Sequence, residues 1–276
     1  MQIDLHLHTS ASDGTSDPKE LVEEIVEKGI GIFAVTDHDT TVNVEKTFAF
    51  AKEQGLGFIS AAEISAVYDG KIFHILAYGC DIANRQLKEV LQYNQTIWAN
   101  IDISRIEWVS RKDRRVNAQE FFSYSYEPSR GGWSSLNYLI DKGIVGNMQE
   151  YFMTQTDFVM DENFAYLPDV IEAINASGGK AFLAHPAYSK EKNERVMSAN
   201  RLDKLVRAGI VGIECYTIYN ASKEEEKYYL TYAQEKGLLI SGGSDYHGKF
   251  ITQRKLGVPH ITTEMLHGTW YEEMIR

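Results

Sequence analysis

The sequence of 276 residues has little cysteine and no long apolar run. Its two cysteines, Cys80 and Cys215, are far apart in the sequence and form no C-x-x-C pair, which fits a reducing compartment. No stretch reaches the roughly 18 apolar residues of a membrane span. The first residues also lack the basic segment that opens a signal peptide. We therefore expect a cytoplasmic protein with no membrane contact.

Basic residues are in the minority. The chain has 28 Lys and Arg against 39 Asp and Glu, and its formal net charge is −11. This balance argues against a broad basic surface for long nucleic acid. A small anionic substrate remains compatible with it, because bound metal ions would dominate the local charge. Hydrophobic residues make up 43% of the chain, and the length suits one barrel with an insertion.

The first fourteen residues, MQIDLHLHTSASDG, combine a short apolar strand with groups that bind metals. His6 and His8 are two residues apart, so both imidazoles project from the same face of a strand. Asp13 follows in a turn rich in small residues, and Gly14 allows the chain to fold back. Paired imidazoles are common ligands of Zn, Mn, Fe and Ni. This stretch therefore predicts one part of a metal site.

Apolar segments that resemble strands alternate with helical ones along much of the chain. Polar residues follow several of them, as in the segments GIFAVTDHD, GFISAAEI, KAFLAHP and LISGGSDYHG. This alternation is typical of a parallel α/β sheet, and polar groups at strand ends are typical of a barrel mouth. A hairpin around Asp69 and Gly70 would carry one further histidine on its return strand. Six of the eight histidines lie at or near strand ends: His6, His8, His38, His74, His185 and His247.

The alternation stops at about residue 85. Residues 86–164 are charged and helical in pattern, with one long amphipathic segment at about 85–112 and no obvious strand. We expect them to form a helical insertion that covers the site as a lid, between barrel segments 1–85 and 165–276. These helices could instead be peripheral elements of a single domain.

Taken singly, each of these polar residues also has a purely structural interpretation. A strand histidine is often ordinary hydrogen-bonded structure, and Asp37 and Asp39 could orient the histidine between them or simply end their strand. Glu214 ends an apolar strand and could bind metal, support a ligand or face the substrate. Together, however, the imidazoles and carboxylates would converge on one cavity. His260 and His267 fall outside the pattern and are assigned to the surface.

Five motifs in order, HLHTSASDG, VTDHD, AAEIS, AHP and GGSDYHG, resemble those of the polymerase and histidinol phosphatase (PHP) family. The resemblance spans residues 1 to about 85 and 165 to 258. It implies an α/β fold, a distorted (β/α)7 barrel, with a centre of two or three divalent ions, often Mn, Fe or Zn. It also implies nine metal ligands in three groups: His6, His8, Glu63 and Asp245 for the first ion, Glu63 with His74 and His185 for the second, and Asp13, His38 and His247 for the third.

Within the family, the layout resembles an insertion-bearing subgroup that acts on nucleoside 3′,5′-bisphosphates or, in the 5′→3′ direction, on very short RNA. Two departures concern phosphate binding. Where that subgroup usually has Gly-Arg-Pro-His, this chain has the segment GGWS at 131–134, and Ala187-Tyr188-Ser189 follows the His-Pro motif without an arginine. Arginine is the natural bidentate partner of phosphate. Arg130 is the candidate substitute for substrate binding.

We therefore expect a metal-dependent hydrolase that acts on the phosphate ester of a small molecule, such as a nucleotide. A hydroxide that bridges two ions would attack phosphorus, since a bound metal lowers the pKa of water towards about 7. The general acid is not assigned, because every motif histidine is assigned to metal. Two alternatives remain: amidohydrolase-like hydrolysis of another bond, and a non-catalytic metal-binding module. Glu63 as the bridging ligand, in place of a carbamylated lysine, and the complete ligand set favour the phosphoesterase.

Overall fold

The structure, a computed structural model, describes residues 1–154, 157–160, 163–189 and 194–276. One sheet contains eight strands: β1 (Gln2–Leu7), β2 (Ile32–Val35), β3 (Gly57–Tyr68), β4 (Lys71–Tyr78), β5 (Lys180–Leu183), β6 (Gly212–Tyr216), β7 (Leu239–Gly242) and β8 (Ile261–Thr262). The α-helices of the described ranges are α1 (Pro18–Lys28), α2 (Val44–Glu53), α3 (Arg85–Ser110), α4 (Ala118–Phe121), α5 (Ser134–Asp141), α6 (Met148–Met153), α7 (Leu167–Ala176), α8 (Ala199–Ala208) and α9 (Lys223–Lys236).

The sheet curves into a nearly closed barrel, with strand order β7-β6-β5-β4-β3-β2-β1-β8. Strands β1 to β3 are parallel, as are β5 to β7, whereas β4 runs antiparallel to both of its neighbours. The barrel closes between β1 and the segment after β7, where Leu7 bridges to Tyr246, whose carbonyl accepts the His8 N–H at 2.9 Å. The predicted distorted α/β barrel is confirmed, and the reversed β4 is its main irregularity.

The reversal of β4 follows from the predicted hairpin. Asp69 and Gly70 connect β3 to β4 with φ angles of 49° and 71°. Two consecutive positive φ angles suit the tight turn whose twist matches that of paired strands. Because of this turn, β4 comes back along β3 and presents His74 beside Ser65 near the barrel mouth.

Helix α1 shows how local sequence sets the helices that pack on the sheet. The Asp17 side chain caps its first turn by accepting the Glu20 N–H at 2.9 Å, and the Glu20 carboxylate returns the contact to the Asp17 N–H. This reciprocal cap satisfies amides that have no partner inside the helix. Leu21 and Ile25 are buried against the barrel. The helix ends at Gly29, which adopts the left-handed conformation with φ 69°.

Helices α3 to α6 lie between β4 and α7 and contain a hydrophobic cluster separate from those of the barrel. Ile106, Leu136 and Leu139 are fully buried in it, and Phe250 packs against it from the loop after β7. The long helix predicted at 85–112 is present as α3. Across the described ranges, none of the helices combines the length and apolarity that crossing a bilayer would need.

The closure of the barrel depends on one glycine. A Cβ atom at Gly243 would lie 2.3 Å from the Cβ of His6 and 2.5 Å from its backbone nitrogen. Because the clash involves the backbone nitrogen and the Cβ of His6, a change of the His6 rotamer cannot remove it. The segment after β7 can approach β1 this closely only without a side chain.

We expect Gly243→Ala to destabilise the protein by about 2 kcal/mol or more, because overpacking against backbone forces the strands apart. This corresponds to a fall in Tm of roughly 4–8 °C, measured by calorimetry or circular dichroism. Gly268→Ala is the matched control, because a Cβ there meets no heavy atom within 4 Å. Equal Tm values for the two variants would contradict this account of barrel closure.

Candidate metal centre

His6 and His8 lie at the end of β1 with both side chains fully buried. Their ring centroids are 5.2 Å apart, as expected for residues i and i+2 on one face of a strand. Leu7 between them points the other way, into a hydrophobic cluster that it shares with Phe33 and Phe58. The alternation of the strand therefore sends both imidazoles to the same end of the barrel.

Glu63, on β3, is the shared residue of the site and is completely buried. Its two oxygens face nitrogen atoms from five histidines. Oε1 lies 2.9 Å from His74 Nδ1 and 2.8 Å from His185 Nε2, and Oε2 lies 3.1 Å from His6 Nε2, 3.2 Å from His8 Nε2 and 3.3 Å from His38 Nδ1. Burial raises the pKa of Glu63, but the surrounding imidazoles outweigh burial and hold the pKa well below its usual range. Glu63 is thus an ionised carboxylate with partners on every side.

Two further carboxylates complete the centre. Asp245 Oδ1 lies 3.1 Å from His8 Nε2 and 3.4 Å from His6 Nε2. Asp13 Oδ1 lies 3.2 Å from His247 Nε2 and 3.7 Å from His8 Nδ1. Asp13 reaches this position because the chain folds back at Gly14, where a Cβ would lie 2.5 Å from the His8 carbonyl oxygen.

All nine predicted ligands meet at this end of the barrel. Eight of them fall into three overlapping groups whose nitrogen and oxygen atoms lie within 4.8 Å of one another: His6, His8, Glu63 and Asp245; His38, Glu63 and His74; and His8, Asp13, His38 and His247. The first group is the predicted one. The other two groups differ from the prediction: His8 joins the third group, and in the second group His38 stands where His185 was predicted. His185, the ninth residue, contacts Glu63.

The arrangement fits divalent cations. His8 Nε2 and His38 Nδ1 are buried and lie close to carboxylate oxygens, but they form no hydrogen bond with the described residues. Burial lowers the pKa of His38 to about 3, so its imidazole is neutral, which is the form that binds metal. Three carboxylates packed this closely need positive charge between them. Imidazole nitrogen and carboxylate oxygen together suit Mn, Fe and Zn.

Glu214, whose role the sequence left open, lies behind the histidines. Its Oε1 accepts from His6 Nδ1 at 2.9 Å, and its Oε2 accepts from the backbone N–H of His185 at 2.7 Å. A carboxylate on Nδ1 fixes the proton there and leaves His6 Nε2 directed at the centre. Glu214 therefore supports two predicted ligands.

Asp37 and Asp39 tie loops together instead of contacting His38. Asp37 accepts the Thr9 N–H and the Ser12 hydroxyl, both at 2.7 Å, and so shapes the loop that carries Asp13. Asp39 accepts from Trp98 Nε1 at 2.9 Å, which links the end of β2 to α3. The predicted surface positions of His260 and His267 are correct, because both are exposed.

Two functional candidates have no signal in the sequence. Arg254 Nη1 lies 2.9 Å from Asp245 Oδ2, and the Tyr219 hydroxyl donates to the same oxygen at 2.7 Å. Both residues lie on loops whose sequence has no motif, so only the folded contacts reveal them. Arg130, the predicted substrate contact, forms a bidentate pair with Asp141 at 2.8 and 3.0 Å.

The comparisons with known proteins agree with this geometry. A family model described as PHP domain matches residues 4–275. The chain belongs to the PHP family. A 5′-3′ exoribonuclease of Haemophilus influenzae is 27% identical over 88% of this chain and 89% of its own length. A 3′,5′-nucleoside bisphosphate phosphatase of Chromobacterium violaceum is 25% identical over 98% of this chain and 95% of its own length.

Among solved structures, a Bifidobacterium adolescentis protein assigned as a metal-dependent phosphoesterase is similar to this PHP protein. The TM-score is 0.80 with 26% identity, over 93% of this chain and 91% of the other. The likeness extends over nearly the whole chain, the insertion included. The family resemblance proposed from the five motifs is therefore confirmed.

We expect Glu214→Gln to weaken metal binding by about 10- to 100-fold, because His6 loses the acceptor that fixes its orientation. The measurement is the dissociation constant of Mn²⁺ or Zn²⁺, by calorimetry or by competition with a chelating dye. Glu226→Gln is the matched control, since Glu226 pairs only with exposed Lys223 in the described contacts. Unchanged metal affinity in Glu214→Gln would show that His6 needs no support from this carboxylate.

Proposed function

We propose that this PHP protein, a metal-dependent phosphoesterase, hydrolyses small nucleotide-related phosphate esters with two or three divalent ions held by the nine predicted ligands. The observation that carries the proposal is Glu63, a buried carboxylate that histidines from separate elements share. Such a shared carboxylate would hold neighbouring ions, and paired ions would stabilise the oxygens of a phosphoryl group during displacement. The donor set supports Mn, Fe or Zn.

The residues of the chain would bind and orient the ions and the ester. Bound ions would lower the pKa of water and stabilise negative charge on the phosphoryl oxygens. Glu214 holds His6 and the backbone of His185 in place. Tyr219 is half-buried beside Asp245, and partial burial together with the nearby Asp245 carboxylate raises its pKa far above the usual value. Its hydroxyl therefore stays protonated and serves as a hydrogen-bond donor to the centre instead of losing its proton.

The substrate class rests on the relatives and on charge. The curated relatives act, by their names, on nucleoside bisphosphates and on RNA from its 5′ end. The net charge of −11 disfavours a long polyanion but leaves a mononucleotide or a very short RNA compatible. Contact between Arg130 and substrate stays a prediction, because its guanidinium is engaged by Asp141. The cytoplasmic location also stays a prediction, in keeping with two buried free thiols.

We propose that the insertion, residues 86–164, is the lid of the site. The Gly132 N–H donates to the Asp13 carbonyl at 2.8 Å, so the insertion touches the loop of a predicted ligand. Trp133 packs against Phe250 with ring centroids 6.1 Å apart, three residues beyond His247. These contacts support a lid that closes on the side of Asp13 and His247.

We expect the purified protein with Mn²⁺ to release inorganic phosphate from nucleoside 3′,5′-bisphosphates and, more slowly, from an aryl phosphate. His8→Ala should lower kcat by at least about 100-fold, because His8 faces both Glu63 and Asp245. Phosphate release is followed colorimetrically, and His267→Ala, an exposed histidine, is the control. Full activity in His8→Ala would refute the assignment of the site, and cleavage of amides or lactones instead of phosphate esters would favour the amidohydrolase-like alternative.

The bond that breaks can be located with labelled water. We expect hydrolysis in ¹⁸O-labelled water to place one label in the released phosphate and none in the alcohol, because ions that clamp the phosphoryl group favour attack at phosphorus. Mass spectrometry of both products measures the outcome. Label in the alcohol would mean attack at carbon and would exclude this mechanism.

A further inference from the structure

Arg254 lies in the loop between β7 and β8, and its side chain enters the candidate metal centre. The side chain is only 18% exposed, and Nη1 lies 2.9 Å from Asp245 Oδ2 and 3.0 Å from His247 Nδ1. Burial lowers the pKa of Arg254, but the carboxylates of Asp245, Asp13 and Glu63 raise it more. The guanidinium is therefore a permanent positive charge beside the predicted ligands.

Tyr219 holds the guanidinium from the other side. The Arg254 Nη2 donates to the Tyr219 hydroxyl, which in turn donates to Asp245 Oδ2 at 2.7 Å. The central carbon of the guanidinium also lies 5.3 Å from the centroid of the Tyr219 ring. Three groups thus form a closed chain of hydrogen bonds, and the orientation of Arg254 is fixed before any ligand arrives.

The guanidinium of Arg254 has hydrogen-bond donors that the described residues do not use. Guanidinium has five N–H donors, and its contacts with the described residues involve Nη1 and Nη2 but not Nε. Ions held by Asp245 would share its negative charge, so the attraction between Asp245 and Arg254 would weaken. The positive charge of Arg254 is then available to an anion at the centre.

This chain lacks other arginines where its subgroup would supply them. The segment at 131–134 is GGWS, and Ala187-Tyr188-Ser189 follows the His-Pro motif. Arg130, the nearest substitute along the sequence, pairs with Asp141 and, among its described contacts, with none of the predicted ligands. A phosphate ester at the centre would therefore need its bidentate partner from elsewhere in the fold.

We propose that Arg254, positioned by Tyr219, contacts the phosphoryl group of the substrate directly and replaces the missing arginines of the insertion. This inference rests on the proposed function, since it assumes that a phosphate group reaches the centre. This role differs from merely holding Asp245 in position, because Arg254 must also contact the phosphate group itself.

The test compares inorganic phosphate binding to the Mn²⁺-loaded wild type and variants by calorimetry, together with KM and kcat for a nucleoside 3′,5′-bisphosphate. We expect Arg254→Gln to weaken phosphate binding by about 30- to 100-fold and to raise KM, with unchanged Mn²⁺ content. Arg254→Lys, which keeps the charge and loses the fork, should lose about 10-fold. If Arg254→Gln does not fold, the phosphate affinity of Arg254→Lys decides the proposal.

Arg276→Gln is the matched control, because Arg276 also pairs with one carboxylate, Glu45, and lies 4.2 Å from an aromatic ring. It should bind phosphate as the wild type does. Wild-type phosphate affinity in Arg254→Gln would overturn the proposal, and so would a defect that saturating Mn²⁺ fully restores, since Arg254 would then act only through Asp245. Phosphate binding needs no turnover, so an inactive wild type would refute the proposed function while this comparison still decides the role of Arg254.

Discussion

The site depends on a single carboxylate that has no access to water. Glu63 faces imidazoles from β1, β4, the end of β2 and the end of β5, each within about hydrogen-bonding distance of one of its oxygens. A buried carboxylate is costly unless it is paired. The ends of these strands must therefore converge to within a few ångströms of one point, and this requirement links the curvature of the sheet to the chemistry of the centre.

The backbone at the strand ends bends sharply to meet that requirement. Asp39, His185 and Asp245 have φ angles of 50°, 26° and 51°, in the left-handed region that side chains other than glycine rarely adopt. Such conformations cost about 1–3 kcal/mol each and persist where other contacts determine them. Here each has a strong local contact: Asp39 is held by Trp98, the His185 N–H by Glu214, and Asp245 by its ion pair with a guanidinium.

Local patterns in the sequence account for the fold and most of the centre. Alternation in β1 places His6 and His8 on one face, and the turn at Asp69 and Gly70 predicts the return strand that carries His74. Strand ends of an α/β barrel meet at one mouth, so residues remote in sequence could be assigned to a single cavity. Placing these residues at one mouth needs only the period of a strand and the order of the strands, whereas their assignment as nine ligands in three groups rests on the resemblance to the PHP family.

What the sequence could not supply depends on contacts between loops. The sequence left the role of Glu214 open, because a carboxylate at a strand end has the same pattern whether it binds metal or supports a histidine. The sharing of His8 and His38 between groups depends on distances of a few ångströms. Arg254 and Tyr219 lie in loops without periodicity, and they meet only because the segments after β7 and β6 are neighbours.

The position of Arg254 has a consequence for how the barrel and the insertion divide their roles. An arginine on the insertion would move with a lid and would bind phosphate only when the lid is closed. Arg254 instead belongs to the barrel and shares Asp245 with the centre, so its distance from the predicted ligands does not depend on the insertion. Phosphate binding would then be complete in the barrel alone. Trp133 and the helices around it would select the rest of the substrate and exclude water, without carrying the charge that holds the phosphoryl group.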